Sequence, residues 1–324
     1  MKSQKLQAFF VCISLLFAAS LVFAADDYPN KPIQLICPYA VGGVTDLSSR
    51  LIAEKMGEYL KQPVIVVNKP GAGAALGTGF VAGSKPDGYT IVTTWTGISV
   101  LVPLINPNLP FKMSDLAPIG KSVVLDMLML VNKDVPAKTI PEFIAYAKKN
   151  PKKLSYATAG VGTLPHLVME QFNMLAGTDL QHIPNNSELQ AVTAVVGKHV
   201  HATVVGLTVS QSHIKTGSIR AIATLTEKRA PDLPNVATAA EQGYPALTAS
   251  IYNLLFAPGK TPPHIVKKLE AALEYAMKDK DTQQKLNKMD YRVDFLNGKD
   301  AKDFLNKETQ KWSSVVKKAN IQIK

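Results

Sequence analysis

The chemistry of this chain gathers first at Cys37-Pro38-Tyr39-Ala40-Val41-Gly42-Gly43-Val44-Thr45-Asp46, between an apolar run at 33–36 and an amphipathic stretch from Leu47. It reads as a strand, a Gly-Gly turn and a helix opening on Thr45 and Asp46. The first N–H groups of a helix lack partners and sit at the positive end of its dipole, a combination that suits an anion. Gly42-Gly43 alone is equally compatible with a tight turn needing positive φ, so the rest of the chain must decide. A second group of the same kind is Thr158-Ala159-Gly160-Val161-Gly162-Thr163, followed by Pro165-His166 at a helix start. Thr93-Thr94-Trp95-Thr96 adds hydroxyls after a third apolar run.

Other chemistries lack their residues. His166, His182, His199, His201 and His213 raise the question of metal, and His199-x-His201 would share one strand face, but no carboxylate or thiolate completes a ligand set. There is no Gly-x-Ser-x-Gly elbow for a serine nucleophile. Gly160-x-Gly162 lacks the Lys-Ser/Thr tail of a phosphate loop, and Gly71-Ala72-Gly73 lacks the third glycine of a dinucleotide fingerprint. Cys37, ending an apolar strand, reads as a small buried residue. These absences argue against an enzyme and leave no cofactor or metal to expect.

The positioning elements follow from the whole chain. With 324 residues, 46% of them hydrophobic, it can bury a large core and is longer than one average domain. Lys2 and Lys5, the apolar 8–22 stretch and Val22-Phe23-Ala24 read as a secretory leader cut after Ala24 or Ala25. Cys12 lies inside it without the flanking residues of a lipidated cysteine. The mature chain then holds only Cys37, which excludes an internal disulfide. Net charge is +11, or +9 without Lys2 and Lys5. Lysines interleaved with acids through the last third read as solvated helix surface, and an exported protein has little nucleic acid to meet.

The pattern is βα repeated twice. Strands are expected at 33–36, 64–67 and 89–94 with helices between them, then a second series with strands at 154–157, 180–183, 200–205 and 221–225. Thr139-Ile140-Pro141-Glu142 and Ser187-Glu188-Leu189-Gln190 are capping boxes, and Asn150-Pro151 and Gly177 are stops. Two apolar runs, 116–124 and 125–131, join the series, and a strand at 252–257, a long helix from 261–263, a short strand at 291–295 and a final helix close the chain. Parallel sheets bind ligands beyond the carboxyl ends of their strands, where both Gly-rich loops fall.

Nine motifs stand in the order of one family: Tyr28-Pro29-Asn30-Lys31-Pro32-Ile33, Pro38 to Asp46, Gln62-Pro63-Val64, Asn68 to Gly73, Pro86-Asp87-Gly88-Tyr89, Leu154 to Thr163, Pro165-His166-Leu167, His213 to Gly217, and Ala257-Pro258. From Tyr28 to the C-terminus the chain resembles the substrate-binding receptors of tripartite tricarboxylate transporters, often called Bug receptors. The resemblance implies an α/β, two-lobed periplasmic binding protein of type II-like architecture, each lobe a mostly parallel sheet flanked by helices. It further implies a monomer that closes over a small organic acid and delivers it to inner-membrane permease subunits. A sensor that docks on a membrane signalling protein is the alternative.

Carried onto this chain, Tyr39, Gly42, Gly43, Thr45 and Asp46 form one rim with Thr94 and Thr96; Thr158, Ala159, Gly162, Thr163 and His166 form the other. Residues 25–124 and 251–324 would make lobe 1 and residues 125–250 lobe 2, with hinge crossings near 125 and 250. Relatives often carry Tyr-Lys/Arg-Gly where this chain has Asn185-Asn186-Ser187, and an aspartate where it has Val205. Asn185 and Val205 are therefore expected to tune the ligand, and loss of the aspartate makes an amino-acid ligand less expected.

Overall fold

The computed structural model describes residues 28–321. The expected leader, its cleavage point and Cys12 lie outside the described residues. In the first series, β1 (Ile33–Cys37), α1 (Val44–Leu60), β2 (Val64–Asn68), α2 (Ala75–Ala82) and β3 (Thr90–Trp95) realise the expected alternation. β1 runs parallel to both β2 and β3 and lies between them. The next stretch, which periodicity left unassigned, forms a π-type turn at Gly97–Leu101 that leads into α3 (Val102–Ile105).

The two apolar runs after it are one 17-residue strand, β4 (Leu116–Asn132). Strands buried on both faces read as continuous apolar sequence, and β4 shows why. Leu128 and Leu130 pack toward one cluster with Val192 and Val195, whereas Met127, Met129 and Val131 join another with Phe143 and Tyr156.

The second series is α4 (Ile140–Lys149), β5 (Ser155–Thr158), α5 (Leu164–Ala176), β6 (Gln181–Pro184), α6 (Glu188–Val196), β7 (Ala202–Gly206), α7 (Gln211–Lys215) and β8 (Ile219–Thr224). Thr139 Oγ1 accepts from Glu142 N–H at 3.3 Å and the Glu142 carboxylate accepts from Lys138 N–H at 2.7 Å, so the first box caps α4. Ser187 and Gln190 do the same for α6. α5 stops at Gly177, whose φ of +62° is the left-handed conformation of a helix end. The chain closes with β9 (Ser250–Pro258), α8 (Pro263–Lys278), α9 (Lys280–Asn287), β10 (Arg292–Asn297) and α10 (Gly298–Lys318).

The strands form a mixed sheet in the order β2-β1-β3-β9-β4-β7-β5-β6, with β10 and β8 also paired to β4. Up to Asp126, which faces Ser250, β4 pairs with β9; from Met127 it pairs with β7, and from Leu128 with β8. One strand thus belongs to two halves of the sheet. A core of Ile33, Leu35, Ile91, Ile52, Met56, Leu269 and Leu273 binds α1 and α8 to the first half. The largest cluster runs from Ile36 and Val92 through Ile105 to Phe143, Leu167 and Trp312, so apolar packing is continuous across the change of partner. Fully burying each such large side chain contributes about 1.5–3 kcal/mol.

Candidate functional site

β1 and α1 carry the first rim. Gly42 has φ +80° and a Cβ there would meet nothing within 4 Å, so the backbone conformation, not space, calls for glycine. Gly43 is different from expectation. As the N-cap of α1 it has φ −72° and ψ 163°, an extended conformation open to any residue, and the helix begins at Val44. No side chain caps α1. The N–H groups of Gly43, Val44, Thr45 and Asp46 therefore have no partner within the helix.

Asp46, expected at the ligand, braces the turn. Its side chain is 1% exposed. Oδ2 accepts from Gly42 N–H at 3.0 Å and Arg50 Nε at 3.1 Å, and Oδ1 from Asn68 Nδ2 at 2.9 Å and Arg50 Nη2 at 2.9 Å. Asn68 also donates to Tyr39 O at 3.0 Å, tying the turn to the end of β2. Burial pushes the carboxyl up, but the Arg50, Gly42 and Asn68 donors outweigh it and hold Asp46 below its usual value. Arg50 was not among the expected rim residues, although its i+4 spacing from Asp46 is legible on a helix.

Thr94 and Thr96, also expected at the ligand, brace β3. Their side chains are buried, with Thr94 Oγ1 2.7 Å from Ser99 Oγ and Thr96 Oγ1 accepting from Tyr252 N–H at 2.8 Å. They fasten β3 to its surroundings and offer no surface to a solute. The aromatic wall beside Tyr39 is instead Trp95 and Tyr291, whose ring centroids are 5.0 Å apart. Burial pushes the Tyr291 phenol up to about 12, with a hydrogen bond to Thr45 opposing it. Burial likewise pushes the half-buried Tyr39 phenol up. Tyr291 lies far along the chain, and only the fold brings it here.

β5 and α5 carry the second rim. Thr163 is the N-cap of α5, and no side chain caps this helix either. Its Oγ1 donates to Gly160 O at 2.8 Å, closing the loop on itself. Thr158 is buried, with Oγ1 2.7 Å from His182 Nε2 and accepting from Gly160 N–H at 3.2 Å. Gly162 N–H donates to His166 Nδ1 at 3.1 Å. An amide N–H only donates, so Nδ1 carries the lone pair and the proton of neutral His166 is on Nε2.

His166 and His182 stack with centroids 4.0 Å apart, and Tyr156 stacks on His182 at 4.9 Å. Burial lowers both imidazoles to about 4, and His182 adds repulsion at His166. Ala159 is half-buried in the same loop. Asn185 N–H donates to Thr158 O at 2.8 Å, which brings the 184–187 turn to the loop. Val205, also expected at the site, is fully buried beneath α6 with Ala191, Val192 and Leu128.

The rims meet at identifiable points. A Cβ on Gly162, whose φ is +79°, would stand 2.5 Å from Ile105 Cδ1, so α3 of the first half lies against the second rim. Thr208, after β7, donates to the Asp290 carboxylate before β10. Beside this contact a cavity of about 410 Å³ is lined by Leu125, Asp126, Leu207, Tyr291 and Arg292 among others. Among the described residues, no group of three or more His, Cys, Asp and Glu could hold a metal, and no helix is long and apolar enough to cross a membrane.

Residues 48–321 match the sequence profile described as the tripartite tricarboxylate transporter family receptor. The chain is 38% identical over 265 residues to a UPF0065 protein of Bordetella pertussis, covering 82% of this chain and 81% of that one. Among solved structures, a TctC solute binding protein from Polaromonas superposes with a TM-score of 0.81 at 27% identity, covering 90% of this chain and 99% of the other. MatC from Rhodopseudomonas palustris, with bound malate, gives 0.67 at 27% identity, covering 89% and 100%. The fold is the α/β fold of periplasmic binding proteins. The chain belongs to the tripartite tricarboxylate transporter receptor family, whose members are substrate-binding receptors and not enzymes.

Proposed function

We propose that this chain is a periplasmic receptor that captures a small organic carboxylate between two lobes and delivers it to the inner-membrane subunits of a tripartite tricarboxylate-type permease. The observation that carries the reading is that both Gly-rich loops at the carboxyl ends of β1 and β5 open onto helices without a side-chain cap. α4, α6, α9 and α10 are each capped by a side chain, from Thr139, Ser187, Asp279 and Asn297. α1 and α5, the helices behind the Gly42-Gly43 and 160–162 loops, are not, and neither are α2, α3, α7 and α8; α1 and α5 differ from these in opening directly behind the two loops at the carboxyl ends of β1 and β5. Their first-turn donors and dipoles are available to a ligand carboxylate from both sides.

The donors on this reading are the N–H groups of Gly43, Val44 and Thr45 on one rim and of Thr163, Leu164 and His166 on the other. The Tyr39, Trp95 and Tyr291 wall packs the carbon skeleton. The change of β4 partners at Asp126 and Met127 supports lobes of residues 25–124 with 251–324, and 125–250. A leader cleaved after Ala24 or Ala25 would carry a monomer to the periplasm. The bound malate of MatC supports the ligand class.

Native mass spectrometry of the protein isolated from the periplasm tests the reading. The expected result is a monomer carrying one small acid that leaves on gentle activation. A protein that retains no acid and whose melting temperature is unchanged by C3–C6 carboxylates would refute it.

A further inference from the structure

One carboxylate near the junction of the two halves of the sheet is not used by the anion-binding chemistry. Glu188 is the first residue of α6, and its helix is already capped by Ser187 Oγ on Gln190 N–H and Gln190 Oε1 on Asn186 N–H. The Glu188 side chain is not needed there. It turns toward the end of β7, where Oε2 accepts from Gly206 N–H over 3.4 Å, a long and weak bond.

A Cβ on Gly206 would lie 3.8 Å from this Oε2 and 3.2 Å from Leu125 Cδ2, so carboxylate, strand end and crossing strand meet at one place. Leu125 also lines the cavity that Leu207 and Tyr291 border, and Tyr291 reaches Thr45 and Trp95 of the first rim. Asn185, three residues before Glu188, is bonded to Thr158 of the second rim. Glu188 therefore sits where the two halves of the sheet join, at the end of β7 and against the crossing strand β4.

Its electrostatic state is unlike that of Asp46. Asp46 has a guanidinium, an amide and a backbone N–H. Glu188 is half-buried, and among the described residues no Lys, Arg or His pairs with it; burial raises its carboxyl against the single Gly206 N–H. An ionised carboxylate withdrawn from water without a cation is costly, and a cation brought by the solute would remove the cost. The same carboxylate repels a second ionised carboxylate on the solute, which adds discrimination against diacids.

We propose that Glu188 is a specificity-determining residue of the cleft and that it selects solutes carrying a protonated amine beside their carboxylate, the amine pairing with Glu188 while the rims hold the carboxylate. The proposal rests on the receptor reading above and restores the amino-acid class that the valine at 205 argued against.

Matched pairs differing only in the amine test it: propionate and alanine, succinate and aspartate, glutarate and glutamate, 4-methylvalerate and leucine. Each is titrated calorimetrically into the mature protein freed of solute by dialysis, and into Glu188→Gln and Glu188→Ala checked for native melting. The expected result is at least one pair whose amino member binds about tenfold tighter or more. Both variants should remove that preference and leave the deaminated member bound as well as before or better. Tighter or equal binding of the deaminated member in every pair, or a preference that survives both variants, overturns the proposal while leaving the receptor reading intact. No binding by either series overturns both.

Discussion

Behind the 38–43 turn the brace is ionic, with the Asp46 carboxylate gathering Arg50, Asn68 and Gly42 N–H, whereas behind the 158–163 loop it is a stack of neutral rings, His166 on His182 on Tyr156, joined to the loop through Gly162 N–H and Thr158. Both hold a Gly-rich turn at the mouth of an uncapped helix. The same task is thus met with groups that answer acid differently. An imidazole kept neutral by burial must lose its acceptor when protonated, while a carboxylate with four donors resists protonation.

The largest effect expected from this contrast is on acid stability. His166 and His182 titrate near 4 in the folded chain against an ordinary 6.5, so the unfolded chain binds more protons between those values. Their contribution is complete above 6.5 and is lost as pH falls toward 4. Asp46 has a lowered value, so its contribution persists until pH falls below 3.8. Urea titrations from pH 7 to 4 should show a steep loss of stability that His182→Phe reduces. A flat profile across that range would remove the contrast between the braces.

Next is Asp46→Ala, which strands Arg50, Asn68 and Gly42 N–H and should cost about 2–3 kcal/mol in the same assay at pH 7, Arg50 being half exposed. Gly162→Ala should cost roughly 2 kcal/mol, from the strain of positive φ and the displacement of Ile105. Gly42→Ala, strained but uncrowded, should cost about 1 kcal/mol, and Gly43→Ala close to nothing. An equal cost at Gly42 and Gly43 would mean the turn is placed wrongly. Smallest is Thr163→Ala, which removes the bond to Gly160 O and should cost about 0.5–1.5 kcal/mol.

The sequence made the second rim more legible than the first. Alternation and spacing were enough to place β1, β2, β5 and the capped helices α4 and α6, because those signals are local. The loop at 158–163 holds itself with neighbours, so the local bonds of Thr163 and His166 are readable from their own stretch. What escaped depends on distance or on strand face. Tyr291 and Ile105 reach the rims only through tertiary packing. Residue type alone does not tell which way Thr94, Thr96 and Val205 turn; the pairing of β3 and β7 and the Tyr252 N–H bond to Thr96 bury them. Asp46 was read as a ligand contact because a carboxylate at a helix start looks available, until Arg50 one turn later claims it.

The central claim is that a carboxylate is held from both sides by the unclaimed N–H groups of α1 and α5. Amide hydrogen exchange followed residue by residue, with and without the acid found bound to the purified protein, tests it most directly. The account predicts that slowing appears together at Gly43, Val44 and Thr45 and at Thr163, Leu164 and His166, with the capped N-termini of α4 and α10 unchanged. Ligand binding that leaves either of the first two groups exchanging as in the free protein would contradict it.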